Sequence, residues 1–239
     1  MTIAAVSGAR MVFSSSPHLS RRSLKGIDAV IQENRASWAL EPGRCALLIH
    51  DMQRHYLDAL PDAATRADLV GKVAGLRAAC TELGVPVFAS IVPEAHGMQE
   101  RGLMSELWGR GPRGEGAKLD PALLGNDARI RSIAKRSYSA FYGTDLEVML
   151  RRLGRDSVII AGLYTSIGCF STALEAFARD IRAFVVADAT ADMSAADHAA
   201  GLRNAARLCA RVLDSEDVRA ALSPRGLRPE DRRAAIDVC

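Results

Sequence analysis

With 239 residues, 49% of them hydrophobic and 25% charged, the chain is long enough to bury a sizeable core as one globular domain. Its 31 Lys and Arg against 28 Asp and Glu leave a net charge of only +3, and the basic residues are scattered as Arg through Ala-rich helical stretches, a pattern that argues against nucleic-acid binding. No segment reaches the roughly 18 consecutive apolar residues of a membrane span, so a soluble protein with no membrane partner is expected.

The five cysteines, Cys45, Cys80, Cys169, Cys209 and Cys239, are odd in number and lack CxxC spacing, which suggests reduced thiols in a cytoplasm. Residues 1–30 carry an Arg pair with no apolar segment of signal-peptide length behind it and read as a mobile extension. A single domain is expected over 31–222. The tail, 223–239, is too short to form another.

The run CALLIH (45–50), bounded by Gly43 and by Asp51 and Gln53, suits a buried parallel strand. Helical spacing follows up to a stop at Gly84. VPVFASIV (85–92) is the next strand, and the Gly- and Pro-rich stretch from Pro93 to Asp127, holding Trp108, is one long irregular insertion of the kind that often serves function. RIRSIA (129–134), SVIIAG (157–162) and IRAFVVA (181–187) read as further strands, with helices over 144–153, 169–179 and 195–210. Ser194 and Asp197 form a capping box for the last helix. This alternation predicts an α/β fold, a mainly parallel central sheet between two helical layers, with its site beyond the carboxyl ends of the strands. Asp51, Lys135 and the turn YTSIGC (164–169) all fall at such ends.

The blocks LLIHDMQRHYL, KRSYSAFYGTDLEVMLRRLGRDSVIIAGLYTSIGCFSTALEAFARDIRAFVVADATADMS and His198 with its Ala-rich helix resemble the isochorismatase family of the cysteine-hydrolase-like superfamily. Within it, SWALEPGRCALLIHDMQRHYL and RGLMSELWG look closest to isochorismatases of phenazine and siderophore pathways. The resemblance implies a three-layer, Rossmann-like hydrolase fold. It also implies hydrolysis of an enolpyruvyl (vinyl) ether, of isochorismate or 2-amino-2-deoxyisochorismate, with release of pyruvate; no cofactor is expected and, with no His-x-His or HExxH pattern in the sequence, no metal. Amidase members place a nucleophilic Cys six residues after the first Gly of this turn; the sixth residue after Gly162 is Gly168. Cys169 lies one residue further, rotated by about 100° on a helix, where a free thiol ordinarily packs in the core.

Vinyl-ether hydrolysis needs a general acid rather than a nucleophile. By position and resemblance Asp51 is that acid. A free aspartic acid is ionised at neutral pH, so the role requires burial and an anionic substrate to favour the protonated form, while Lys135 anchors substrate and balances charge. Gly168 supplies room and a backbone donor at a helix start. Gln53, Val92, Tyr138, Phe141, Tyr164, Thr165 and Ser166 are the expected pocket residues, with Arg101 as carboxylate binder or exposed structural residue, and Trp108 as apolar wall or as a pin for the insertion. Val92 stands where the family usually has Gln, Thr165 and Ser166 where it has Ala and His, and KRSYSAF where KWRYSAF is common, so a modified substrate is open. Neighbouring strand residues face opposite ways, which would turn His50 away from Asp51's pocket. A cysteine-dependent amidohydrolase and a non-catalytic binding module are the other classes considered. The expected partners are a small anionic substrate and a second copy of the chain, a dimer being favoured among homo-oligomers.

Overall fold

The structure, a computed structural model, describes residues 21–124 and 130–223. Six strands, β1 (Cys45–His50), β2 (Val87–Ile91), β3 (Arg131–Ala134), β4 (Ser157–Leu163), β5 (Arg182–Ala191) and β6 (Ala210–Leu213), form one parallel sheet in the order β3-β2-β1-β4-β5-β6. Every residue of β1 and β4 is buried, as expected of central strands covered on both faces. The edge strand β3 buries only Ile133.

Alternation divides the sheet's side chains between two cores. Ala46, Leu48, Val158 and Ile160 face α1 (Arg21–Ile31), which comes before the sheet, and later helices that contribute Leu146, Leu150, Ala173, Ala176, Leu202 and Ala205. Cys45, Leu47, Ile49, Ile159 and Phe184 face the opposite layer, where α2 (Ala63–Glu82) supplies Leu69, Val73 and Leu76. The remaining helices are α3 (Leu146–Arg152), α4 (Phe170–Phe177), α5 (Ala195–Leu208) and α6 (Ser215–Leu222). Helix starts are set by side-chain caps: Asp62 accepts from Thr65 N–H at 2.8 Å, Ser194 from Asp197 N–H at 3.1 Å and Asp214 from Asp217 N–H at 2.7 Å. The Ser194 hydroxyl also donates to the Asp197 carboxylate at 2.5 Å.

Several expectations are corrected. Residues 21–30, read as part of an extension, belong to α1, and Ile27 and Val30 join the core; residues 1–20 and the tail from 224 lie outside the described residues. The helix expected over 195–210 ends at Leu208, and after Cys209 the chain enters β6, Ala210–Leu213. ARVL follows the helix without Gly or Pro, so no local signal marks the change. Strand β5 extends to Ala191, past the expected end at 187, because the pairing with β4 shifts register between Ile160 and Gly162 and resumes at Thr190. The insertion carries short helical turns at Met98–Arg101, Met104–Trp108, Gly114–Ala117 and Pro121–Leu124, and an isolated bridge joins Leu119 to Gln53. Arg129 of the expected strand 129–134 is outside the described residues.

One glycine fixes the approach of the central strands. Gly162 pairs with His50 at φ +122°, and a Cβ there would meet the His50 carbonyl oxygen at 2.2 Å. A Gly162→Ala variant is expected to lose at least about 2 kcal/mol of stability through strain and overpacking, measured by the denaturant midpoint. A midpoint equal to that of the parent would remove Gly162 as the determinant of this approach.

Candidate active site

The strand order puts β1 beside both β2 and β4, so that the chain reverses direction of winding at the β1/β4 seam, where crevices form in such sheets. Asp51 follows β1 and leaves the strand conformation, at φ +50°. Its N–H donates to the Ser90 carbonyl at 3.2 Å and the Ser90 hydroxyl at 3.1 Å. That hydroxyl in turn donates to Asp51 Oδ1 at 2.7 Å. Lys135, just after β3, donates its N–H to the Ile91 carbonyl at 2.9 Å and points Nζ back at Asp51 Oδ2, 2.6 Å away. Nζ also donates to the Ser137 carbonyl at 2.8 Å. Asp51 is 8% exposed and Lys135 2%, so the pair sits almost entirely out of water.

The turn after β4 is a wide helical turn, Thr165–Cys169, that runs into α4. Side chains beyond β5 and on α5 hold it: Asp192 accepts from the Ser166 N–H at 2.7 Å, and Thr165 Oγ1 lies 2.7 Å from His198 Nδ1. Gly168 is buried within it. Tyr164 precedes the turn, donates its hydroxyl to the Tyr56 carbonyl at 2.9 Å and packs edge-on against the Tyr56 ring.

The structure gathers Asp51, Lys135, Tyr164 and Gly168 at this edge of the sheet and gives several of the other expected residues different surroundings. Gln53 was expected to touch substrate, yet it is fully buried. Its Oε1 accepts from Val92 N–H at 2.8 Å, and its Nε2 donates to the carbonyls of Val92 at 2.9 Å and Ala117 at 2.7 Å. Both amide hydrogens are spent, so Gln53 clamps the insertion and Val92 to the end of β1. Val92 itself is 6% exposed at this junction. Phe141, expected in the pocket wall, belongs to the core under α3, with the Arg179 guanidinium 5.5 Å above its ring. Thr165 is 1% exposed and engaged by His198, and Ser166 is tied through its backbone, so both brace the turn. Trp108 pins the insertion, donating from Nε1 to the Tyr138 hydroxyl at 2.8 Å. Arg101 folds over the same insertion with Nε donating to the Gly109 carbonyl at 2.7 Å.

Three site residues escaped the sequence reading. Ser90 is a polar residue inside an apolar strand run, and that interruption was its signal. Tyr56 has both the Asp51 and Arg101 charges beside it; burial, first, and the Asp51 carboxylate push its phenol above the usual range while Arg101 opposes the shift. His50 was placed on the wrong side: because Asp51 departs from extended geometry, the alternation rule fails at this step, and His50 Nδ1 lies 3.6 Å from Asp51 Oδ2.

Cys169 is fully buried at the start of α4, and burial, followed by the Asp51 and Asp192 charges, raises its thiol well above the ordinary range despite Lys135. A neutral, sealed thiol is not a nucleophile. Among the described residues no three His, Cys, Asp or Glu side chains gather closely enough to hold a metal ion.

A parallel sheet with an acid and a lysine at one edge and a helical turn facing them defines a class of α/β hydrolases. The isochorismatase domain matches residues 45–217, and the chain belongs to the isochorismatase family. It is 39% identical over 188 residues to the phenazine biosynthesis protein PhzD1 of Pseudomonas aeruginosa, covering 77% of this chain and 89% of that one. Identity to an isochorismatase of Bacillus subtilis is 40% over 183 residues, covering 74% and 58% of the two chains. An isochorismatase family protein of Burkholderia thailandensis superposes with a TM-score of 0.66 at 29% identity, over 77% of this chain and 97% of that one.

The buried imidazole has a measurable consequence. Burial, first, and then the Lys135 charge push His50 down from 6.5 to about 4, against the pull of Asp51. Between these values the unfolded chain holds the extra proton, so His50 contributes stability above about pH 6.5 that is lost as pH falls, by about 3 kcal/mol at most. The denaturation midpoint of a His50→Asn variant should therefore fall less steeply than the parent's between pH 6.5 and 4. Parallel pH profiles would show that His50 is not held neutral.

Proposed function

We propose that this chain is an isochorismatase-type hydrolase that cleaves the enolpyruvyl ether of isochorismate or 2-amino-2-deoxyisochorismate by general-acid catalysis. The observation that carries this reading is the Asp51–Lys135 contact of 2.6 Å, placed across from a turn with glycine at the position where a thiol nucleophile would sit. The name of the Bacillus relative, an isochorismatase, supports this substrate class, and that of the Pseudomonas relative supports a place in secondary-metabolite biosynthesis.

In the free protein the ammonium faces the carboxylate. An anionic substrate brings a second negative charge to the pair, which draws Lys135 to the substrate and favours a proton on Asp51. Asp51 gives that proton to the terminal vinyl carbon, which becomes the methyl group, and the ether-bearing carbon becomes an oxocarbenium centre. Water adds to this centre and returns a proton to Asp51. The hemiketal then collapses to pyruvate and the ring alcohol. The Gly168 N–H anchors the pyruvyl carboxylate, Tyr56 and Tyr164 wall the pocket, and Arg101 meets the ring carboxylate. Ser90 keeps Oδ1 occupied, so that the proton is delivered from Oδ2.

The protein is expected to act in the cytoplasm as a homodimer. The half-exposed Val148, Leu174 and Phe177 offer apolar surface for this contact, and light scattering should give twice the 25.6 kDa chain mass.

A coupled pyruvate assay on both compounds tests the activity. Asp51→Asn keeps shape and hydrogen bonding without a transferable proton, so turnover should fall about 10²- to 10⁴-fold with KM changed far less. Near-normal pyruvate release by this variant would overturn the mechanism. Iodoacetamide applied to the folded protein should leave turnover unchanged, because Cys169 is sealed; its abolition of turnover would restore the thiol reading.

A further inference from the structure

The imidazole of His50 lies directly behind the turn. A Cβ built on Gly168 would stand 2.3 Å from His50 Cε1, 3.0 Å from Nδ1 and 3.2 Å from Nε2. Real carbon contacts do not come this close, and the ring is not a yielding surface group. It is fully buried at the end of a central strand, and Nδ1 lies 2.7 Å from the Leu163 carbonyl, where it serves as the donor because a carbonyl only accepts. The opposite nitrogen, Nε2, is buried without a well-formed hydrogen bond, although the Tyr138 backbone also acts on the ring. A buried, poorly satisfied nitrogen costs about 1–3 kcal/mol, so an apolar side chain of similar size would serve the core better. Packing alone therefore does not account for a histidine here.

We propose that His50 is a positioning residue that fills the space of a side chain at position 168, ties down the Leu163 carbonyl at the entry to the turn and backs the Asp51 carboxylate. Positions 50 and 168 form a coupled pair: glycine is required at 168 because the ring occupies its side-chain space, and moving this turn from acid to thiol chemistry requires a change at both. The earlier expectation that Gly168 leaves room for substrate is refined accordingly, since the room is taken from within. The activity part of the proposal rests on the hydrolase reading; the steric part does not.

The test is a double-mutant cycle of His50→Asn and Gly168→Ala, with His50→Leu as a further variant. Asn keeps a nitrogen donor near the Nδ1 position and deletes Cε1 and Nε2, the atoms in the way. Thermal midpoints, measured without substrate, should drop for Gly168→Ala alone and recover when His50→Asn is added. Additive midpoints, or a Gly168→Ala protein as stable as the parent, would overturn the steric coupling. Leu keeps bulk without the donor, so His50→Leu should lower kcat about 10- to 100-fold with KM nearly unchanged, and His50→Asn should keep more of kcat than Leu does. Equal kcat in the Leu variant and the parent would reject the positioning role. If the parent turned over neither enolpyruvyl substrate, the hydrolase reading would fail while the midpoints still decided the coupling.

Discussion

A carboxylate and an ammonium 2.6 Å apart and nearly shut off from water are expensive to desolvate, and the attraction between them offsets that cost only when their remaining hydrogen-bonding capacity is also met. The fold meets it from three neighbouring strands. β1 delivers Asp51, β2 delivers the Ser90 hydroxyl to its other oxygen, and β3 delivers Lys135, whose ammonium also finds the Ser137 carbonyl. A parallel sheet is suited to this because its strands all end at the same edge, and the closeness of β1 to β4 brings the turn opposite the pair.

That constraint governs the rest of the site. Asp51 reaches Lys135 by leaving the strand conformation at φ +50°, and the same step brings the His50 ring beneath the turn and close to the carboxylate. With His50 there, Gly168 has no space for a side chain, and the thiol of the turn, Cys169, is directed into the core and kept neutral. What remains at this edge is a carboxyl group beside an ammonium, which suits the proposed acid-catalysed addition of water better than displacement by sulfur.

The strands β1, β4 and most of β5, the long α2 and the capped α5 were readable because each is carried by a local pattern: a continuous apolar run for a doubly covered strand, helical spacing up to a stop at Gly84, and Ser194 with Asp197 at a helix start. The elements that were misread depend on distant partners. α1 earns its helical register only when Ile27 and Val30 reach the core, and β6 is a strand only because β5 offers it an edge. In the site, Asp51 and Lys135 were legible as polar residues closing strands. Gln53 was misassigned because a buried amide and a substrate-binding amide look alike in sequence; only its partners Val92 and Ala117 tell them apart. His50 was misplaced because the alternation rule assumes regular strand geometry at the residue where the site bends it.

The central claim is that a proton delivered to carbon, and not attack by a protein nucleophile, breaks the ether. Single-turnover hydrolysis in D2O, with the pyruvate examined by mass spectrometry, tests this most directly. The account predicts slower turnover in D2O, exactly one deuterium in the methyl group of the pyruvate first released, and no covalent adduct on the protein at any time. A pyruvyl adduct on Cys169, or a rate indifferent to D2O when chemistry limits it, would contradict the account.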